Sequence, residues 1–256
     1  MQTLLSGLRR KPAPKRRARL KLAMADTVVY AVGDVHGCLD ELVALERAIV
    51  ADAAAFSCRK LIVMLGDYID RGPASSQVLD HLVAPPPAGF ERICLAGNHE
   101  VLMLDYLQER TTLAKWNALG ATATLHSYGI DHDRLRMIYR DPAAIDRMIR
   151  ESIPASHQLF LENLPVLVEI ADFLLVHAGI RPGIAIEKQA DADLVSIRSA
   201  FYDHADLLDR YVVHGHTPVR EPTRDGRHVN IDTGAYFSGR LTALRIFNHK
   251  GRYLTN

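Results

Sequence analysis

The stretch Thr27–Gly37, TVVYAVGDVHG, decides how the chain is read. A run of six mostly apolar, β-branched residues stops at a glycine, and Asp34 and His36 follow at once. Short apolar runs bounded by glycine read as strands buried on both faces. The same punctuation recurs. Leu61–Leu65 (LIVML) ends in Gly66-Asp67, followed by Tyr68-Ile69-Asp70-Arg71-Gly72. Arg92–Ala96 (RICLA) ends in Gly97-Asn98-His99-Glu100, and Phe173–Val176 (FLLV) ends in His177-Ala178-Gly179. Tyr211–Val213 (YVV) ends in His214-Gly215-His216-Thr217, and Val229–Ile231 ends in Asp232-Thr233-Gly234. Between the first two clusters, Leu39, Leu42, Val43, Leu45, Ala48 and Ile49 repeat at helical spacing, with Asp40 and Glu41 in the favourable first turn. Asp34 to Asp67 is 33 residues and Asp67 to Asn98 is 31, intervals that suit one βαβ unit each. In such sheets ligands gather where strand carboxyl ends meet glycine-opened loops. Six strand ends should therefore deliver Asp, His and Asn side chains to one rim.

Outward from this pattern, residues 101–165 look different. Val101–Arg110 and Ala143–Leu161 have helical character, with Trp116 and Tyr128 between them, and predict a largely helical insertion over one side of the rim. Leu241–Phe247 (LTALRIF) predicts a last strand. The 256 residues suit a single domain with an inserted cap. Apolar residues make up 48% and charged residues 24%, which excludes a disordered or fibrous chain as a whole. No apolar run is long enough to span a membrane. Three cysteines without C-x-x-C spacing fit a reduced, cytoplasmic setting.

The net charge of +1 conceals an asymmetry. Residues 1–22 carry eight Lys/Arg and no acid, leaving 23 basic against 30 acidic residues, or −7, in the remainder. Pro12 and Pro14 interrupt this arm, and no apolar segment follows to make a secretory signal. Residues 1–25 are expected to be a disordered, solvated tail able to touch an acidic partner, with the folded domain spanning residues 26–256.

Asp, Asn and His, without cysteine, suit manganese, iron or zinc. Asp34, His36, Asp67, Asn98, His177 and His216 make six ligand candidates, more than one open catalytic ion needs. If Asp67 bridges, two ions fit at the roughly 3.5–4 Å separation used for phosphoryl transfer, and a bound water becomes hydroxide near neutral pH. Arg71 suits phosphoryl oxygens, and His99 with Asp70 beside it suits protonation of a leaving group. Singly, each piece has an ordinary explanation: a turn at Gly33–Gly37, a hydrogen-bonded core histidine, a surface Asp70–Arg71 ion pair. His214, two residues before His216, could be either a further ligand or a group supporting one. Their joint occurrence at sheet-like intervals is what points to a site.

Rival signatures fail on inspection. Cys-x5-Arg would need arginine where Ala44, Met64 and Glu100 stand. His99-Glu100 would open H-E-x-x-H, but Met103 occupies the closing position. Neither G-x-x-x-x-G-K-[ST] nor G-x-S-x-G occurs.

The clusters at 33–37, 66–72, 97–100, 176–179 and 215–217 resemble the phosphoprotein phosphatase family of the calcineurin-like metallophosphoesterases, over about residues 27–247. Trp116 to Gly120, Ser127-Tyr128-Gly129, LENLP at 161–165, His177–Pro182 and LVSIRSAF at 194–201 are similar to bacterial protein phosphatases and to symmetrical diadenosine-tetraphosphate hydrolases. The resemblance implies an α/β (α+β) four-layer αββα sandwich with a helical cap. It implies Asp34, His36 and Asp67 on one metal, and Asp67, Asn98, His177 and His216 on the second. It also implies His99 as general acid paired with Asp70, and phosphate binding by Arg71, Asn98 and Arg198. Pro218 stands where some relatives carry another histidine, so water should complete the first metal. Ser196 replaces the usual tryptophan two residues before Arg198, which loosens that assignment. Two divalent ions are expected, manganese first and iron or zinc as alternatives. Phosphorylated protein side chains, serine/threonine above all, or a small phosphoester are the expected substrates. Dinucleoside polyphosphate hydrolysis is the alternative, and a non-catalytic scaffold the remote one.

Overall fold

The computed structural model describes residues 15–23 and 26–256. Its strands are β1 Arg19–Leu22, β2 Thr27–Val32, β3 Arg59–Met64, β4 Phe90–Cys94, β5 Leu167–Ile170, β6 Phe173–Val176, β7 Tyr211–His214, β8 Thr223–Asp225, β9 His228–Asn230, β10 Thr242–Phe247 and β11 Lys250–Thr255. They form a five-stranded sheet ordered β11-β10-β2-β3-β4 and a six-stranded sheet ordered β1-β5-β6-β7-β9-β8.

The continuous apolar runs arise because each sheet is covered twice. In β2, Val29 and Ala31 enter the core between the sheets, together with Leu61, Val63, Leu175 and Val213. Their neighbours Val28, Tyr30 and Val32 face the other way, in one cluster with Leu42, Leu45 and Ile49 of helix α1, Leu39–Ala53. Side chains alternate across a strand, so a strand covered on both faces needs apolar residues at every position. Each such side chain contributes about 1.5–3 kcal/mol on burial. The strand β4 lies at a sheet edge and is only half-buried.

Register explains the rim. The parallel pairs align Val32 with Met64 and Met64 with Cys94, so the loops after β2, β3 and β4 emerge side by side. In the second sheet, parallel pairing of β6, β7 and β9 aligns Leu175 with Val213 and Val213 with Val229. The remaining helices are α2 Ser75–Val83, α3 Asn98–Leu107, α4 Leu113–Asn117, α5 Ala121–Ser127, α6 His132–Ile138, α7 Pro142–Ser152, α8 Ala155–Asn163, α9 Asp191–Ser196, α10 Ser199–Tyr202 and α11 Ala235–Ser238. Six of them, α3 to α8, occupy the stretch read as a helical insertion.

Two expectations need correction. Part of the basic arm is folded: β1 pairs in parallel with β5, Arg19 opposite Leu167. Its charges are used internally. The Arg17 guanidinium donates to the carbonyls of Leu161 and Leu164, both at 2.9 Å. Arg19 meets Asp191 at 2.7 Å and Lys21 meets Glu169 at 2.8 Å. Leu20 and Leu22 pack against the core between the sheets. The alternation Arg-Leu-Lys-Leu is a half-buried strand pattern that the charge count obscured. The ordered domain thus reaches back beyond Asp26; Arg9, Arg10 and Lys11 lie outside the described residues. Second, β10 is not the last strand, because the polar β11 pairs with it antiparallel at the sheet edge. Among the described residues, no helix is long and apolar enough to cross a membrane.

Candidate active site

The loops after β2, β3, β4, β6 and β7 bring Asp34, His36, Asp67, Asn98, His99, His177 and His216 together. Backbone hydrogen bonds lock the loops to one another. The Val35 and His36 amides donate to the Asp67 carbonyl at 3.0 and 2.8 Å, and the Gly215 amide donates to the His177 carbonyl at 2.8 Å. Glu100 is a staple that the sequence reading left without a role. Its buried carboxylate accepts from the amides of Asp67, Tyr68 and Gly97 at 2.8, 2.7 and 2.9 Å. His36, Asp67, Asp70, Arg71 and His216 all have positive φ. Such backbone costs about 1–3 kcal/mol per residue and persists only where the surroundings enforce it.

Two glycines allow the closest approaches. A Cβ at Gly97 would stand 2.1 Å from Asp67 Oδ1, and one at Gly215 would stand 2.0 Å from Asp34 Oδ1. Glycine therefore lets backbone pass directly against both carboxylates.

The proton inventory identifies what the cluster can hold. His177 Nδ1 donates to the Leu65 carbonyl at 3.1 Å, leaving a lone pair on Nε2. That Nε2 faces Asn98 Oδ1 at 3.1 Å, His216 Nδ1 at 3.2 Å and Asp67 Oδ2 at 3.3 Å. Four acceptors thus converge on one point. His36 Nδ1 likewise donates to the Ile69 carbonyl at 2.8 Å and turns Nε2 toward Asp67 Oδ2 at 3.6 Å. Two groups, His36-Asp67-His99 and Asp67-His177-His216, can each hold a cation, and Asp67 belongs to both. Asp34 Oδ1 and His216 Nε2 are buried without a hydrogen-bond partner. The Asp34 oxygen is an orphaned acceptor, costly to bury unless a cation meets it, so the donor set fits divalent metal ions.

The electrostatics agree. Burial pushes the pKa values of His36 and His216 down to about 3, which keeps both imidazoles neutral and free to ligate. Burial, with Asp232 and Asp67 nearby, raises Asp34 well above the usual carboxylate range. Burial would also raise Asp67, but His177, His99 and His36 outweigh it and hold Asp67 well below that range. Asp232, at the end of the sixth strand-like run, rises to about 6 chiefly by burial.

His99 Nδ1 donates to Asp70 Oδ2 at 2.7 Å. The cap braces this pair: Trp116 Nε1 donates to Asp70 Oδ2 at 3.0 Å, and Thr124 Oγ1 donates to Asp70 Oδ1 at 2.6 Å. Burial alone would lower the His99 pKa, but Asp67 and Asp70 outweigh it and raise it. His99 Nε2 stands 3.7 Å from Asp67 Oδ2, so distance alone admits it to the first ligand group in place of Asp34. Arg71 Nη2 lies 3.4 Å from that same nitrogen, and a guanidinium there disfavours a metal cation on Nε2. Arg71 also donates to the Tyr236 hydroxyl at 2.9 Å and lies over its ring. Arg198 reaches Thr217 Oγ1 at 3.2 Å, beside His216. Arg71 thus stands beside His99 and Arg198 beside His216. His214 is buried away from the cluster, against His228 and Phe201. Tyr236, Trp116, Thr124 and Glu100 completed the site without being singled out for it; the first three lie far in sequence from the Arg71 and Asp70 side chains they meet.

The calcineurin-like phosphoesterase family profile matches residues 27–239. A curated protein of Halalkalibacterium halodurans, the asymmetrical bis(5'-nucleosyl)-tetraphosphatase PrpE, is 30% identical over 239 residues, covering 84% of this chain and 88% of its own. Its namesake from Bacillus subtilis is 26% identical over 234 residues with the same coverage. Among solved structures, one called a "putative diadenosine tetraphosphatase" superposes with a TM-score of 0.62 at 19% identity, covering 93% of this chain and 97% of its own. A protein serine/threonine phosphatase from Saccharomyces cerevisiae reaches 0.56 at 15% identity, covering 94% and 84%. At such identities the two structures speak to the fold alone.

Proposed function

Because the chain belongs to the calcineurin-like phosphoesterases, we propose that it is a dinuclear metallohydrolase that cleaves bis(5'-nucleosyl) tetraphosphates asymmetrically, into a nucleoside triphosphate and a nucleoside monophosphate. The observation carrying this reading is the Halalkalibacterium relative, alike over 84% of this chain and 88% of its own length. The sequence alone put phosphorylated protein side chains first and symmetrical dinucleotide cleavage second. The names of the curated relatives support the reverse order and the asymmetrical cut.

In this reading Asp34, His36 and Asp67 hold one divalent ion, and Asp67, Asn98, His177 and His216 hold the other. When bound, the two ions supply a nucleophilic hydroxide at neutral pH and offset negative charge on the reacting phosphate. Arg71, beside His99, and Arg198, beside His216, bind phosphate oxygens. His99 donates its Nε2 proton to the departing oxygen, and Asp70 holds the ring through Nδ1.

Incubation of the manganese-loaded protein with diadenosine tetraphosphate, followed by chromatography, tests the reading. Equal amounts of AMP and ATP are expected. ADP as sole product would make the cut symmetrical. Turnover of phosphopeptides with none of the dinucleotide would overturn the proposal.

A further inference from the structure

Next to the metal-ligand cluster stand two aromatic rings that the chemistry above does not use fully. Tyr236 packs edge-on to His36, with ring centroids 5.3 Å apart, and Phe237 packs edge-on to Tyr236 at 4.9 Å. Phe237 is 63% exposed. Its ring is nonetheless held in place. Gly234 has φ +64°, and a Cβ there would stand 2.2 Å from the ring, so the glycine gives Phe237 a backbone floor. The turn beneath is locked: the Gly234 amide donates to Asp232 Oδ1 at 2.9 Å, the Ser238 amide to the Gly234 carbonyl at 2.9 Å, and Ser238 Oγ to the Thr233 carbonyl at 2.7 Å. A rigid aromatic with one face packed and the rest in water is a stacking surface.

We propose that Phe237 is the platform for the base of the nucleoside whose 5'-phosphate is attacked. The proposal deepens the dinucleotide reading and rests on it. A ligand using both features needs a phosphate at Arg71 and a planar π-system one ring further out than Tyr236. A nucleotide has that layout, because ribose separates its base from its α-phosphate. In phosphotyrosine the ring is attached directly to the phosphate oxygen and falls short, at Tyr236. The platform also selects the phosphorus. With the base on Phe237, the phosphate over the ligand cluster is the α-phosphate. The oxygen of water bonds to that phosphorus, and the bond to the bridging oxygen of the β-phosphate breaks. Its electron pair leaves on the triphosphate of the other nucleoside, whose departing oxygen takes the His99 Nε2 proton; one proton of the water restores His99 and the other passes to solvent. The products are one nucleoside monophosphate and one nucleoside triphosphate.

Titration calorimetry on the full manganese-loaded chain tests this with AMP, ribose 5-phosphate and O-phosphotyrosine. Base–aromatic stacking corresponds to about a five- to 150-fold preference for AMP over ribose 5-phosphate. Phe237→Ala should remove most of that preference, and Phe237→Trp should restore it. Equal affinity of the intact protein for AMP and ribose 5-phosphate would overturn the proposal, as would parallel weakening of both by Phe237→Ala. A Phe237-dependent preference for phosphotyrosine over AMP would overturn it too. The two readings fail separately. Discrimination by Phe237 without dinucleotide cleavage strikes the reaction and leaves the platform, whereas asymmetrical cleavage without discrimination strikes the platform alone.

Discussion

Asp70 and His99 form a buried pair, Oδ2 to Nδ1 at 2.7 Å, and the cap rather than the sheets holds the carboxylate in place, through Trp116 and Thr124. The insertion therefore braces the candidate site mechanically. It fixes the orientation of the imidazole that the strand-end loops present.

From this pair follows a dependence on leaving group. His99→Asn should lower turnover of a simple alkyl phosphomonoester by about 10²–10⁴-fold, the usual range for a general acid. The loss should be smaller for the dinucleoside tetraphosphate, whose departing phosphate is far less basic than an alkoxide. Steady-state kinetics on both substrates, with metal analysis of the variant, give the comparison. Equal losses on the two would remove His99 from the acid role.

The pair also sets a pH limb. Asp67 and Asp70 raise the His99 pKa against the opposing effect of burial. The acid form is complete below that pKa and is lost as pH rises through it. Asp70→Asn removes part of the raising influence, so the alkaline limb of kcat should move to lower pH. A limb that stays in place in the variant would show that another group titrates there.

Metal loading should expel protons, and more of them in acid. In the metal-free protein, Asp232 holds a proton up to about pH 6 and Glu100 up to about 7, both chiefly by burial. Incoming cations favour the carboxylates and drive these protons off. His36 and His216, at about 3, are already neutral and release none. Calorimetric titration with Mn(II) in buffers of different ionisation enthalpy should therefore count more protons at pH 6 than at pH 8.

Gly97→Ala and Gly215→Ala each drive a methyl group into a carboxylate, of Asp67 and Asp34 respectively. Such overpacking costs about 1–3 kcal/mol. Each variant should melt lower and retain less metal. Because Asp67 is shared, Gly97→Ala should impair both ions, whereas Gly215→Ala should chiefly affect the ion held by Asp34. Metal-to-protein ratios by elemental analysis distinguish the two patterns.

Arg17→Ala should destabilise the whole domain, since it leaves the carbonyls of Leu161 and Leu164 without their donor. About 1–3 kcal/mol is expected for buried acceptors left unpaired. For a chain of this size that lowers Tm by several degrees, at roughly 2–4 °C per kcal/mol. An unchanged melting point would return that part of the arm to the solvated tail first expected.

The ligand-bearing half of the site was legible because strand and site are written in the same residues. An apolar run that stops at glycine marks both a strand end and a place where backbone can approach a ligand closely. Asp34, Asp67 and Asn98 could thus be placed on one rim from spacing alone. The bracing groups were not legible. Trp116, Thr124 and Tyr236 act across long stretches of chain, and no local period connects them to Asp70 or Arg71. Residues 19–22 were misread for a different reason. Their charge pointed to solvent, while Asp191 and Glu169, remote in sequence, were waiting as partners.

The staple formed by Glu100 has one more consequence. It ties the loop of Asp67 to the loop of Gly97 through three amides and calls on no ion to do so. The loops that carry Asp67 and Asn98 are therefore held at a fixed spacing by the polypeptide itself. Occupancy becomes a matter of supply: the abundance of each divalent cation around the protein, weighed by its intrinsic appetite for imidazole and carboxylate, decides the tenant.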